Sequence, residues 1–244
     1  IMSSYILDLI ARMQNDSYRP CESKKGGVFE SEKTISWTAT EEAKQINDLK
    51  YLAELYSILE TEINHEIRRL TYSILGNLLK NTPDLMATDL LIQSLPKEKD
   101  NMTKVWMLNS LEEIYKPATL DLKPIFILNK HRNWHVRCSS YLALTNTEIK
   151  NENYLITLLD NIDKIDDIKY IVRSLGYIGT NKSVELLISY LKHKSQNIRY
   201  ESLNTLPTIM LREGYTYEEI KKKTNVSDNY LDIRKERLKT LSRP

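Results

Sequence analysis

The chain has 244 residues, 41% hydrophobic and 28% charged, enough apolar content to bury a sizeable core, while 6 Gly and 7 Pro are too few for the turns of an all-β sandwich or a doubly wound sheet of this length. Its net charge of +2 is unevenly spread, with 7 Lys/Arg against 11 Asp/Glu in residues 1–63, 19 against 16 in 64–211 and 9 against 6 in 212–244. A dedicated nucleic-acid binder carries a larger basic excess, so the balance tilts towards a protein partner and leaves DNA as the alternative.

The two cysteines, Cys21 and Cys138, stand in no CxxC or metal-type spacing, which argues against a disulfide framework and for a reducing, cytoplasmic setting. No apolar run approaches the ~18 residues that cross a bilayer, so no membrane partner is expected. Ile1 ahead of Met2 reads as a trimmed or vector-derived start, and no basic-then-apolar leader follows it.

In chain order, Ser3–Gln14 has the period of a short amphipathic helix, and residues 15–37 follow with no sustained period and with Pro20 and Gly26-Gly27 among them. That irregular stretch is either a connector to an N-terminal capping helix or a loop folded over what comes next. Thr38 with Glu41 reads as a capping box, and Thr82 before Pro83 as an N-cap with proline at the first helical position. Helices are expected at 41–60, 83–94, 119–130, 151–161 and 181–192. Each precedes a second helix of shared pattern: a polar turn, a branched apolar residue followed by Arg or Lys, then a Leu about two turns on. The five second segments are NHEIRRLTYSILGNL from Asn64, NMTKVWMLNSLEEI from Asn101, NWHVRCSSYLALTN from Asn133, DIKYIVRSLGYIGT from Asp167 and QNIRYESLNTLPTI from Gln196. Their aligned leucines, Leu75, Leu111, Leu144, Leu175 and Leu206, are spaced 36, 33, 31 and 31 residues apart, the period of a two-helix repeat.

The segments INHEIRRLTYSILGNLL, HVRCSSYLAL, IKYIVRSLGYIG and NIRYESLNTL resemble the second helix of HEAT or HEAT-like (phycobilisome-lyase-type) repeats, with departures at Thr103-Lys104 and at Ile168-Lys169, which sits one residue out of register. The resemblance implies an all-α, right-handed α-solenoid of about five HEAT-like hairpins: a helix and irregular loop in 1–40, the repeat stack in 41–211 and a capping hairpin in 212–244. It further implies that the second helices line a concave face. A basic ladder of Arg68, Lys104, Arg137, Lys169 and Arg199 would then border the groove. The ladder has two readings: each cation serves the stack by bonding carbonyls or carboxylates nearby, or the row meets an anionic partner. Residues that differ between units, Arg69, Tyr72, Trp134, His135, Tyr141, Arg173 and Tyr200, belong to the types that concentrate binding energy and complete the expected partner-binding set. Trp106, amid apolar neighbours, is expected in the core, and Trp134 in a polar turn is the better exposed contact.

Residues 216–241 resemble a helix-turn-helix, with Thr216 and Glu219 capping the first helix, a turn at 224–227 with Asn225 in place of the usual glycine, and a second helix after the N-cap Ser227; Lys221 stands where a small residue is usual. The tail either caps the open end of the stack or binds DNA, in which case Asn229, Tyr230, Arg234 and Lys235 would face the groove. No phosphate loop, GxSxG elbow or HExxH helix is present, and His131 with His135 is a weak metal pair. Among HEAT-like enzymes the alkylpurine DNA glycosylases use a Trp-Asp pair, whereas Trp37, Trp106 and Trp134 are followed here by Thr38, Met107 and His135. The reading is a non-catalytic adaptor, regulatory or immunity-type module with a protein partner and with no cofactor or metal.

Overall fold

The computed structural model describes residues 4–15, 34–148 and 150–241, and among these the chain is helical throughout, with no strand. Most of the irregular loop, with Cys21, Pro20 and Gly26-Gly27, lies outside the described residues. Fourteen α-helices are described: α1 Tyr5–Met13, α2 Ile35–Lys44, α3 Leu52–Thr61, α4 His65–Asn81, α5 Leu85–Ser94, α6 Asn101–Glu113, α7 Lys123–Leu128, α8 Trp134–Leu142, α9 Glu152–Leu159, α10 Ile165–Ile178, α11 Asn181–Tyr190, α12 Gln196–Arg212, α13 Tyr217–Thr224 and α14 Asp228–Leu241. The chain divides into two compact units, residues 1–116 with 120–124, and residues 117–119 with 125–244.

In the first unit α4 is the hub, packing on α1, α2, α3 and α6. Helix α1 starts at Ser4, whose hydroxyl accepts the Leu7 N–H, and buries Ile6, Leu9 and Ile10 on one stripe. Two capping expectations are corrected. The N-cap of α2 is Thr34, whose Oγ1 accepts the Trp37 N–H at 3.1 Å, so Thr38 falls inside the helix and bonds back to the Thr34 carbonyl instead. Asp84, a stronger cap than Thr82, starts α5 by accepting the Ala87 N–H at 2.8 Å, and Thr82 becomes the C-cap of α4. The helix expected over 41–60 is broken after Lys44 and resumes through a 3₁₀ turn at Leu49–Tyr51, which Asp48 caps.

In the second unit α8, α10 and α12 pack in succession, α9 lies on α10, α11 on α12, and both α13 and α14 on α12. The helix expected over 119–130 shortens to Lys123–Leu128.

Across the two units, α4, α6, α8, α10 and α12 share a register when counted from the N-cap. The N-caps are Asn64, Asp100, Asn133, Lys164 and Ser195, and eleven residues past each stand Leu75, Leu111, Leu144, Leu175 and Leu206, all 0% exposed. Position 8 holds Tyr72, Leu108, Tyr141 and Val172, all buried, in α4, α6, α8 and α10. Positions 6, 9 and 13 fall on the opposite side of an ideal helix.

Candidate functional site

The predicted basic residues are best understood from their turns. Asn133 opens α8, its Oδ1 accepting the N–H groups of His135 and Val136, and four residues on Arg137 reaches back over the turn it has just left. Its Nη1 donates to the carbonyls of His131 (2.8 Å) and Arg132 (3.1 Å). Its Nε and Nη2 each meet the Asp167 carboxylate at 3.0 Å, and the Tyr141 hydroxyl donates to that carboxylate at 3.3 Å. Arg199 repeats the first part, with Nη1 on the carbonyls of His193 (2.8 Å) and Lys194 (3.1 Å). Arg68 does likewise with the Glu62 carbonyl at 3.2 Å, and its Nη2 binds Glu98 at 2.7 Å. The residue six before each arginine also bonds the chain two places on: Glu62 accepts from Asn64 N, His131 Nδ1 from Asn133 N, and His193 Nδ1 from Ser195 N.

These bonds set the charges. The hydrogen bond to Asp167 holds the Arg137 guanidinium above its ordinary range although burial opposes it. Burial pushes Glu98 upward, but the Asp100 N–H, Arg68 and the Lys99 N–H together bring it below the usual carboxylate value. Burial raises the Cys138 thiol to about 12, with Asp167 and Asp166 adding to the effect, so the sulfur is a thiol at neutral pH.

Exposure sorts the predicted set. Tyr72, Lys104, Arg137 and Tyr141 are buried, the last two inside the Arg137–Asp167 network, so these four offer no surface to a partner. Arg68 and Arg199 are partly covered and engaged as above, and Arg69 bonds the His65 carbonyl at 3.2 Å. Lys169 leaves the ladder: counted from Lys164 the ladder position in α10 is Ile168, and the branched position before it, buried in α6, α8 and α12, is taken by Asp167, which the Arg137 pair compensates. Lys169 and Arg173 instead stand over the Tyr170 ring at 5.8 and 5.0 Å, and Arg173 makes a bidentate pair with Glu201, both bonds at 3.0 Å. Trp134 (42% exposed) stacks on exposed His135 with centroids 3.6 Å apart, and Tyr200 is 66% exposed.

In the tail the capping box of Thr216 and Glu219 forms, Asn225 adopts the left-handed conformation at φ 56°, and Ile220 and Leu231 are fully buried. Lys221 bridges Glu218 (2.9 Å) and Asp228 (3.0 Å). Of the residues assigned to a DNA groove, Tyr230 and Arg234 turn to α12: Tyr230 donates to Asn204 at 3.1 Å and Arg234 to the Tyr230 oxygen at 2.8 Å. Asn229 and Lys235 are exposed, the latter over the Tyr217 ring at 5.8 Å.

The expectation for Trp106 is overturned. It occupies position 6 of α6, is 37% exposed, and lines a cleft of about 280 Å³ between α4 and α6 with Ser73, Gly76, Asn77, Asn109, Ser110 and Glu113. The helices approach closely there because Gly76 has no side chain: a Cβ would lie 2.3 Å from Ser110 Oγ. Counting from Asp100 would have found this face, but the apolar neighbours of Trp106 masked it.

Among the described residues no three or more His, Cys, Asp or Glu side chains group as metal ligands, and no helix is long and apolar enough to cross a membrane. No protein-family model matches the chain, and no curated protein matches it in sequence.

Proposed function

We propose that this chain is a non-catalytic, HEAT-like helical-repeat module, a right-handed α-solenoid capped at both ends, that binds a protein partner along the outward faces of its second helices. One contrast carries the reading. The leucine column and Arg68, Arg137 and Arg199 recur and are buried or bonded within the chain, whereas Trp106, Trp134 and Tyr200 do not recur and are exposed and of interface type; Tyr72 and Tyr141 also differ between helices but are buried. Adaptor, regulatory and immunity-type roles share this requirement. The nucleic-acid alternative draws on the basic ladder and the tail, and it loses support where Arg68, Arg137 and Arg199 are bonded to carbonyls and carboxylates and Tyr230 and Arg234 to α12.

Purification of the tagged chain from its native host should recover a stoichiometric protein. Trp134→Ala with Tyr200→Ala should weaken that complex by about tenfold or more without lowering the melting temperature. Absence of a stoichiometric protein, together with salt-sensitive retention on duplex DNA, would replace this reading with the nucleic-acid one.

A further inference from the structure

The cleft between α4 and α6 is lined mainly by polar side chains. Neither the Asn77 nor the Asn109 carboxamide, nor the hydroxyls of Ser73 and Ser110, nor the Trp106 indole N–H makes a hydrogen bond among the described residues. On the corresponding positions of α10 and α12, by contrast, Arg173 is paired with Glu201, and Asn204 receives Tyr230. The cleft therefore presents two amides, two hydroxyls and an exposed indole face, with Glu113 as its one ionisable lining residue, itself 2.5 Å from Lys80 on the surface.

We infer that this cleft holds an extended segment of the partner protein, reading its backbone through Asn77 and Asn109 and carrying a Lys or Arg side chain along Trp106 towards Glu113. This rests on the protein-binding reading above and names the part of the surface that recognises sequence. A carboxamide offers a donor and an acceptor side by side, the complement of a peptide unit, and so suits a chain with unpaired backbone groups. Two such groups on facing helices can engage one extended strand. The indole face is the favoured rest for the apolar stem and charged head of a basic side chain. Gly76 makes the arrangement possible by letting the helix bearing Asn77 close on the one bearing Asn109.

The test is a selection of displayed random dodecapeptides on the full chain, with counter-selection on Trp106→Ala. Peptides rich in Lys or Arg should survive. Trp106→Ala and the pair Asn77→Ala with Asn109→Ala should each weaken the best of them about tenfold or more, with unchanged melting temperature. N-methylation of single peptide nitrogens should cost a similar factor at one or two adjacent positions. A selection with no Trp106-dependent peptide, tolerance of N-methylation everywhere, or shifts of the Asn77 and Asn109 side-chain amide resonances by chitohexaose but not by peptides would each overturn the inference. A native partner retained equally by wild type and Trp106→Ala would also overturn it while leaving the broader protein-binding reading intact. Failure to recover any partner would strike that broader reading instead.

Discussion

Truncating Arg137 to alanine would separate the two meanings of the basic ladder. If the arginine serves the fold, its removal strands Asp167, whose side chain is 3% exposed, in a site where it has lost the charge-assisted bonds from both Nε and Nη2 and keeps only that of Tyr141. Breaking a buried pair on one side costs about 3–5 kcal/mol. The carbonyls of His131 and Arg132 lose their donor too, but they lie nearer solvent and add less. Arg137→Ala should therefore lower unfolding free energy in urea by about 3–5 kcal/mol. Asp167→Ala should cost a similar amount. The double variant should cost well under the sum, because neither charge is then left alone, giving a coupling energy of about 2 kcal/mol or more. Arg199→Ala, which loses only carbonyl contacts on a partly exposed side chain, should cost about 1 kcal/mol. If Arg137→Ala stayed within about 0.5 kcal/mol of wild type, the buried-pair argument would be wrong and the ladder would again be free for a partner.

Two further perturbations probe the first unit. Gly76→Ala places a methyl against Ser110 and should destabilise by about 1–3 kcal/mol despite the better helix propensity of alanine. Adding Ser110→Gly should recover most of that loss; a stabilising Gly76→Ala would refute the close approach. Lys116 is fully buried with its ammonium on the carbonyls of Leu111 and Ile114, and burial pushes its pKa down to about 7 although Glu112 opposes the shift. Its proton is thus held more tightly by the unfolded chain, where the value is the ordinary 10.5. Between those values stability rises with pH, by about 1.4 kcal/mol per pH unit at most. Urea titrations at pH 7.5 and 9.5 should show the wild type gaining about 2 kcal/mol relative to Lys116→Met; equal pH dependence of the two proteins would count against a neutral buried amine.

Much of the helical framework could be read from residue types alone, and the errors share a cause. The leucine column emerged because leucine is apolar in any register, and all five members are buried. By residue type alone Tyr72 and Tyr141 read as surface and Trp106 as core, because amphipathic aromatics suit either side. Phase from the N-cap decides for the tyrosines, position 8 being buried in α4, α6, α8 and α10; Trp106 at position 6 is exposed, although the same position is buried at Ser139 and Glu201. Thr38 and Thr82 have the residue type of a cap, but a neighbouring Thr34 or Asp84 does the capping. The arginine ladder was visible, but its partners were not, since Glu98 and Asp167 stand about thirty residues downstream and meet it only after packing. Asp167 also disguised the register of α10 by occupying a position that is apolar in α4, α8 and α12.

The arginines that close back on their own turns have a consequence for how this sequence can drift. Arg137 and Arg199 each grip carbonyl oxygens five and six residues behind them, and a carbonyl is supplied by every amino acid. Residues such as Arg132 and Lys194 can therefore be exchanged without loosening the turn, and the loop to be closed is only a few residues long, so little chain entropy opposes it. A turn held this way decouples shape from identity: its rim residues are open to selection by whatever partner the molecule meets, while one guanidinium per turn keeps the backbone in place.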